Sequence, residues 1–204
     1  MIKTIIFDIG GVLQGESWDY AASKLGPVKA VSGPEFRAAV QKDRVNHLNL
    51  YETGKISDAE FYSFVLNSLG IAKSASSQNS LKDALMNVWT DVNYELVDLS
   101  QSLLAKKKLI LSNSFPEIED NPNVRIYSDR FDNIYFSHRI GLKKPEKEVF
   151  LHILKNERIK PEETLFVDNK DENVLGAEKV GIKAILYKSN AQLTEALKKY
   201  QLIR

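Results

Sequence analysis

The chain contains 204 residues, with 28 Lys and Arg against 27 Asp and Glu, so its formal net charge is only +1. This balance excludes the strongly basic field that binding to nucleic acid or to an anionic membrane surface would require. Because cysteine is absent and the three histidines are scattered, disulfides, thiolate catalysis, Cys-based zinc sites and His-rich metal sites are also excluded.

The first predicted element is a buried strand that ends at a carboxylate. Residues 4–7 are apolar or β-branched, Asp8 follows directly, and Gly10-Gly11 then indicates a tight turn. Because Asp8 interrupts the apolar stretch and no small-residue cleavage site follows, we do not expect the stretch to be a signal peptide. No apolar run approaches the length of a membrane span, so we expect a soluble, cytoplasmic protein.

Residues 14–90 contain helix signals and no strong strand. Gly33-Pro34 predicts one helix start, and Ser57-Asp58-Ala59-Glu60 is a capping box that predicts another. The Ser-rich segment 72–80 is expected to be a loop, with a third helix after it. The apolar residues at helical spacing are Phe36, Val40 and Val45 in the first helix, Phe61, Phe64, Val65 and Leu69 in the second, and Leu81, Leu85, Val88 and Trp89 in the third.

The C-terminal half alternates strand and helix signals. Pro145 is placed at the first position of one helix, and Gly181 at the end of another. Such alternation favours a parallel sheet with helices on both faces, interrupted after its first strand by an all-helical insertion. The predicted strands of this half are 108–112, 134–137, 164–168 and 184–187.

Polar residues follow three of the predicted strands. Asp8 follows the first, Ser112-Asn113 lies at the end of the second, and Asp168 ends a third, while Lys144 precedes a predicted helix. Each alone is explained as a turn residue or a solvated charge. Together they would face one crevice at the carboxyl edge of the sheet, where open α/β sheets bind ligands. Two carboxylates, a hydroxyl and an ammonium suit an anion together with Mg²⁺.

The order and spacing of these residues resemble the four motifs of the haloacid dehalogenase (HAD) superfamily. The resemblance implies a Rossmann-like, three-layer α/β core formed by residues 1–13 and 91–204, with a C1-type helical cap formed by residues 14–90. The segment Tyr51–Ser57 also resembles a recurrent cap segment. The runs that carry the resemblance are FDIGGVL, ILSNS, GLKKPEKEVF and FVDNKDENVLGAEKVGIKAI.

The resemblance also implies a role for each motif residue. Asp8 would attack phosphorus, Ser112 and Asn113 would bind the phosphate, and Lys144 would neutralise its charge. Mg²⁺ would be held by Asp8, by the backbone carbonyl of Gly10 and by Asp168. Asn169 and Asp171 would orient Asp168 or the metal-bound waters.

The family pattern breaks at Gly10. Phosphatases of the family usually carry a second Asp there, which protonates the leaving group. Three explanations stay open: another residue supplies the proton, the substrate needs no acid, or the chain binds without much turnover. The candidate proton donors are Glu16, Asp19 and His138.

The residues just past the nucleophile are also candidates for substrate contact. Gln14, Glu16 and Trp18 are expected to line the entrance to the site, although Trp18 also suits the core of the cap. A cap over the site implies a small phosphorylated metabolite as substrate. The expected activity is therefore Mg²⁺-dependent hydrolysis of a small phosphomonoester, with a catalytically weak phosphometabolite-binding protein as the alternative; the sequence does not indicate an oligomeric state. Dehalogenation and phosphonate cleavage fit these motifs less well.

Overall fold

Strand β1 lies at the centre of a five-stranded parallel sheet in the computed structural model, which describes residues 1–203. The sheet order is β5-β4-β1-β6-β7, and two further strands, β2 and β3, form a separate antiparallel ribbon. The strands are β1 (Thr4–Phe7), β2 (Gln14–Glu16), β3 (Trp89–Val92), β4 (Lys107–Ser112), β5 (Asn133–Phe136), β6 (Thr164–Asp168) and β7 (Lys183–Leu186).

The helices divide into a group between the ribbon strands and a group after them. Short turns of tighter or wider helix occur at Arg44–Leu48, Pro116–Asp120 and Pro161–Glu163. The α-helices are α1 (Trp18–Ser23), α2 (Gly33–Gln41), α3 (Asn49–Glu52), α4 (Asp58–Ser68), α5 (Ala75–Met86), α6 (Tyr94–Ser102), α7 (Val124–Ser128), α8 (Ser137–Ile140), α9 (Lys147–Glu157), α10 (Asp171–Glu178) and α11 (Asn190–Lys199).

The parallel sheet is buried on both faces, which gives the core three layers. Alternate residues of β1 point to opposite sides: Ile5 and Phe7 pack in one apolar cluster and Ile6 in another. The first cluster includes residues of α6 and α11, and the second includes residues of α9 and α10. The α/β, Rossmann-like parallel-sheet core predicted from the sequence is therefore confirmed, as are its five strands to within one or two residues.

The segment from residue 17 to residue 88, called here the helical insertion, has an apolar core of its own. Residues of its helices, including Phe36, Tyr51, Phe61 and Leu81, are fully buried against one another. The predicted helix starts near Gly33 and Ser57 are confirmed, because Ser32 and Ser57 accept hydrogen bonds from the backbone N–H of the third helical residue.

The prediction that the insertion at residues 14–90 is all-helical is wrong at both ends of the segment. Gln14 begins β2, and Thr90 lies within β3, which pairs with it. These strands are short and partly exposed, so they carry no apolar alternation that a sequence pattern would reveal. The ribbon thus connects the helical insertion to the loop after β1.

Four local predictions are also wrong. The Ser-rich segment 72–80 is mostly helix, because Ser74 and Ser77 form a reciprocal capping box at the start of α5. That helix ends at Met86, so Trp89 belongs to β3 rather than to the helix. Val45 lies beyond the end of α2 and is 71% exposed. Pro145 precedes α9 by two residues instead of opening it.

Within residues 1–203, the structure contains no helix with both the length and the apolar character needed to cross a membrane.

Candidate active site

Three charged side chains meet at the carboxyl edge of the sheet. Asp8 directly follows β1, and Asp168 ends the neighbouring strand β6. Lys144 Nζ lies 2.7 Å from Asp8 Oδ1 and 2.7 Å from Asp168 Oδ2. It also donates to the carbonyl oxygen of Leu111 at 3.0 Å. The structure therefore joins three of the predicted site residues through one buried ammonium group.

Burial and the charges that the three groups exert on one another set the pKa values of Asp8 and Lys144. Burial raises the pKa of Asp8 to about 6, Lys144 opposes that rise, and the negative charge of Asp168 adds to it. Burial works to lower the pKa of Lys144, but the charges of Asp168 and Asp8 hold it above its ordinary value. Two carboxylates against one ammonium leave a net negative charge in a buried site, which favours a bound cation.

Asn113 positions the backbone of Lys144. Its side-chain Nδ2 donates to the Lys144 carbonyl oxygen at 2.8 Å, and its Oδ1 accepts from the Lys144 backbone N–H at 2.9 Å. This two-point contact links the loop after β4 to the segment before α9. This contact leaves the second Nδ2 hydrogen and the backbone N–H of Asn113 available as donors, so its predicted role in phosphate binding stays a prediction.

Asp168 is oriented by residues other than the predicted Asn169 and Asp171. Asn173 Nδ2 lies 3.0 Å from both carboxylate oxygens, and the backbone N–H of Lys170 donates to Oδ1 at 2.8 Å. The amide of Asn169 instead packs against Gly11, where an added Cβ would lie 2.1 Å from its Nδ2. Asp171 is exposed at the start of α10.

Sequence reasoning missed Asn173, although a signal for it exists. Asn173 lies in the first turn of the helix that follows Asp168, and a side chain there can reach back to the end of the preceding strand. An amide at that position is suited to donate to a strand-end carboxylate.

The donor set fits Mg²⁺. Both hydrogen-bonding contacts of Asp8, from Ile9 N and Lys144 Nζ, fall on Oδ1, so Oδ2 remains available among the described residues. Within residues 1–203, no three His, Cys, Asp or Glu side chains converge on a metal-sized site. A site of two carboxylates suits magnesium, which keeps several waters and completes its shell with a main-chain carbonyl or substrate phosphate.

Two cavities that share lining residues adjoin these residues. The small cavity, about 20 Å³, is lined by Asp8, Gly10 and Lys144, among others. The large cavity, about 440 Å³, lies between the helical insertion and the sheet edge. Its volume is that of a site for a small metabolite. Residues that line both cavities are Glu16, Trp89, Asn113, Lys144, Lys170 and Asn173.

The predicted entrance residues separate in the structure. Glu16 and Trp18 line the large cavity, and Trp18 also packs edge-on against Phe36 at 5.7 Å between ring centroids. Gln14 is 1% exposed and is held by Thr90 and Tyr127, so the prediction that it lines the entrance is wrong. Its amide instead stabilises the ribbon.

Ser112 is fully buried at the end of β4. Its hydroxyl lies 3.5 Å from the carbonyl oxygen of Asn113. Among the residues that the structure describes, it is not part of the lining of either cavity. Its role in phosphate binding stays a prediction.

Two of the three candidate proton donors lie away from Asp8. Asp19 accepts from the backbone N–H of Gly33 at 3.0 Å and so holds the start of α2. The Nε2 atom of His138 lies 2.7 Å from Glu119 Oε1, and its Nδ1 lies 3.2 Å from Ser114 Oγ. Neither side chain lines the small or the large cavity within residues 1–203. Only Glu16 of the three shares a cavity with Asp8.

A buried carboxylate joins the helical insertion to the core. Glu117, in the turn after β4, accepts a hydrogen bond from Tyr51 at 2.5 Å and another from Tyr62, both on Oε1. Its Oε2 is buried without a partner among the described residues. Burial raises the pKa of Glu117, although the two tyrosine hydrogen bonds oppose the rise, and Asp58 adds to it.

Glu117→Gln is expected to flatten the pH dependence of stability. Because the pKa of Glu117 is higher in the folded than in the unfolded state, its contribution to stability is complete below its ordinary pKa of 4.5 and is lost as the pH rises through the folded value. Glutamine keeps an acceptor for both tyrosines and does not ionise. The free energy of unfolding should be measured with urea at several pH values. Above pH 4.5, the value for the variant should increase relative to that of wild type.

The exposed Asp98→Asn serves as the control for that series, since Asp98 pairs with Arg130 at the surface. A difference between Glu117→Gln and wild type that stays constant with pH would contradict the prediction.

The site and the fold agree with a family model described as haloacid dehalogenase-like hydrolase, which matches residues 2–181. The chain belongs to this family. It is 26% identical over 211 residues to the D-ribitol-5-phosphate phosphatase of Bacteroides thetaiotaomicron, and the match covers 97% of each chain.

Solved structures share the fold over nearly the whole chain. A structure of a HAD-like family hydrolase from Porphyromonas gingivalis superimposes with a TM-score of 0.78 at 26% identity, covering 98% of both chains. A HAD family enzyme from B. thetaiotaomicron, in complex with magnesium and inorganic phosphate, gives a TM-score of 0.75 at 23% identity, with 93% of this chain and 96% of the other covered.

Proposed function

We propose that the protein hydrolyses a small phosphomonoester in a magnesium-dependent reaction that passes through an aspartyl-phosphate on Asp8. The observation that carries the proposal is the contact of Lys144 with both Asp8 and Asp168 beside the large cavity. A nucleophilic carboxylate, a buried cation and a second carboxylate at one sheet edge are the groups that phosphoryl transfer needs. The match to a phosphatase over nearly the whole chain supports this assignment.

In this reaction a carboxylate oxygen of Asp8 attacks phosphorus, and the bond from phosphorus to the leaving oxygen breaks. Lys144 neutralises charge on the phosphate and holds Asp8 in position, while Ser112 and Asn113 donate hydrogen bonds to phosphate oxygens. Water then attacks the aspartyl-phosphate, which releases inorganic phosphate and restores the carboxylate.

Asp8, the carbonyl of Gly10 and Asp168 are the residues that would hold Mg²⁺. When bound, the ion supplies the positive charge that lets one anion attack another. The negative balance of the two carboxylates and Lys144 supports this role, and so does the magnesium and phosphate complex of the B. thetaiotaomicron enzyme.

The helical insertion acts as a cap that selects small substrates. It closes the large cavity on the side opposite the sheet edge and contributes polar side chains such as Arg37, Gln41 and Asn49. These groups suit the hydroxyls of a phosphorylated sugar or polyol. The relative that acts on D-ribitol-5-phosphate supports this substrate class.

The proposal is tested by phosphate release from p-nitrophenyl phosphate and D-ribitol-5-phosphate, with magnesium or with excess EDTA. We expect turnover with magnesium and its loss in EDTA, followed by recovery when magnesium is restored. Turnover that is unchanged in EDTA would contradict the metal assignment. Phosphate binding by calorimetry without any turnover would instead support a binding protein, the alternative that the missing Asp at Gly10 favours.

A further inference from the structure

We propose that Glu16 is the general acid and base of this enzyme and performs from β2 the proton transfer for which position 10 offers no side chain. The inference rests on the proposed phosphatase function and adds a catalytic residue to it. It follows from the space around Gly10, from the path of the chain between residues 9 and 16, and from the contacts of the other candidate donors.

The Glu16 carboxylate fills the space that a side chain at position 10 would occupy. A Cβ atom added to Gly10 would lie 2.7 Å from Glu16 Oε1 and 2.9 Å from Trp89 Nε1. The backbone of Gly10 does not have the positive φ that marks Gly11, whose φ is 76°. The backbone conformation of position 10 does not call for glycine, but a side chain there would have to displace the Glu16 carboxylate and the Trp89 ring. A carboxylate from another segment stands where the side chain would begin.

The chain after β1 turns back so that Glu16 lies beside Gly10, two residues after Asp8. The backbone N–H of Gln14 donates to the Ile9 carbonyl at 2.9 Å, and that of Gly11 donates to the Gln14 carbonyl at 2.7 Å. The strand β2 that follows pairs with β3, where Glu16 opposes Trp89. The position of Glu16 is thus held by the turn on one side and by the ribbon on the other.

Glu16 is placed to reach both the nucleophile and the leaving group. It lines the small cavity with Asp8 and Lys144, and it also lines the large cavity that would hold the rest of the substrate. Within residues 1–203 its carboxylate makes no hydrogen bond or ion pair, so no protein partner competes for its proton. Asp19 and His138, in contrast, are bound to other groups.

The proton transfers balance over one catalytic cycle. As Asp8 attacks phosphorus, protonated Glu16 gives its proton to the leaving oxygen and becomes a carboxylate. It then takes a proton from water while the water oxygen attacks the aspartyl-phosphate and the bond from phosphorus to Asp8 breaks. The products are the alcohol and inorganic phosphate, and Glu16 is protonated again.

The test compares Glu16→Gln with wild type on two substrates. D-ribitol-5-phosphate has a poor leaving group, so its kcat/KM should fall by roughly 10²- to 10⁴-fold without the acid. The p-nitrophenolate group leaves without a proton, so formation of the aspartyl-phosphate from p-nitrophenyl phosphate should be little changed. Because hydrolysis of that intermediate also loses its base, Glu16→Gln should show a burst of p-nitrophenol followed by a slow steady state.

Further variants make the result specific. Glu35→Gln carries the same chemical change on an exposed position of α2 and should leave both substrates unaffected. Gly10→Asp alone should reduce turnover, because its side chain meets Glu16 and Trp89. The same substitution combined with Glu16→Ala, which removes the carboxylate that the new side chain meets, should restore part of the activity toward D-ribitol-5-phosphate that Glu16→Ala alone loses.

Equal losses of kcat/KM on both substrates, or an unchanged kcat/KM for D-ribitol-5-phosphate in Glu16→Gln, would overturn the role of Glu16 and leave the phosphatase proposal intact. A wild-type protein that hydrolyses neither substrate would overturn both proposals.

Discussion

Asp8→Asn is expected to abolish turnover, with a loss on the order of 10⁶-fold, the scale observed when a covalent nucleophile is removed. An amide cannot form the aspartyl-phosphate, and it is a poorer ligand for Mg²⁺ than a carboxylate. The fold should survive, because asparagine can still accept the hydrogen bond from Ile9 N, which measures 2.8 Å in the structure. The remaining Lys144 and Asp168 would form a balanced ion pair.

The loss of activity should therefore occur without loss of stability. Urea unfolding in the absence of metal should give Asp8→Asn a free energy of unfolding at least as large as that of wild type, since one buried negative charge is removed. Acid-quenched wild-type protein should contain a phosphorylated Asp8 peptide by mass spectrometry, and the variant should not. The exposed Asp98→Asn is the control. Appreciable turnover by Asp8→Asn would show that Asp8 is not the nucleophile.

Lys144→Met is expected to reduce both activity and stability. Removing the ammonium group leaves Asp8 and Asp168 facing each other in a buried site, which should cost about 3–5 kcal/mol of unfolding free energy. The kcat/KM should fall by roughly 10²- to 10³-fold, because a preorganised charge that stabilises the transferring phosphate is lost. Methionine fills the space of the buried side chain as far as Cε and removes the ammonium group together with its hydrogen bond to the carbonyl oxygen of Leu111.

Magnesium provides a second measurement on Lys144→Met. If the ion binds at the two carboxylates, it should raise the unfolding free energy of the variant more than that of wild type, since it replaces the missing positive charge. This measurement does not depend on activity. A variant whose stability does not respond to magnesium would place the ion elsewhere.

Ser112→Ala is the comparison for the activity of Lys144→Met. It removes one neutral hydrogen-bond donor, and the hydroxyl is fully buried in the structure, so its loss of kcat/KM should be smaller. Equal or reversed losses for the two variants would contradict the ranking.

The sheet could be predicted from the sequence because its strands are buried on both faces. Each of the five appears as a short apolar run; β1 is followed directly by Asp8, and β6 ends at Asp168. Local signals also predicted the start of α2, from Gly33-Pro34, and the start of α4, from the Ser57 capping box, because such signals act within a few residues of the helix end. The serines of the 72–80 segment are compatible both with a loop and with a helix cap, and there the prediction was wrong.

The sequence pattern could not predict contacts between segments that lie far apart along the chain. The ribbon of β2 and β3 joins segments that lie more than 70 residues apart, and it is held by contacts such as that of Gln14 with Thr90. Asn173 can orient Asp168 only because α10 begins close to the end of β6, so that the first turn of the helix lies beside the carboxylate. Neither feature has an apolar period or a capping signal that would reveal it.

The chain's sequence alone was enough to predict the parallel core and to select Asp8, Lys144 and Asp168 as partners, because strand burial and strand ends are local properties of the chain. Only the tertiary structure could distinguish among Glu16, Asp19 and His138. The three are chemically similar candidates within the sequence, and what separates them is which side chain enters the space beside Gly10 and which are already bound elsewhere. Such occupancy depends on the packing of the whole molecule, and no local pattern encodes it.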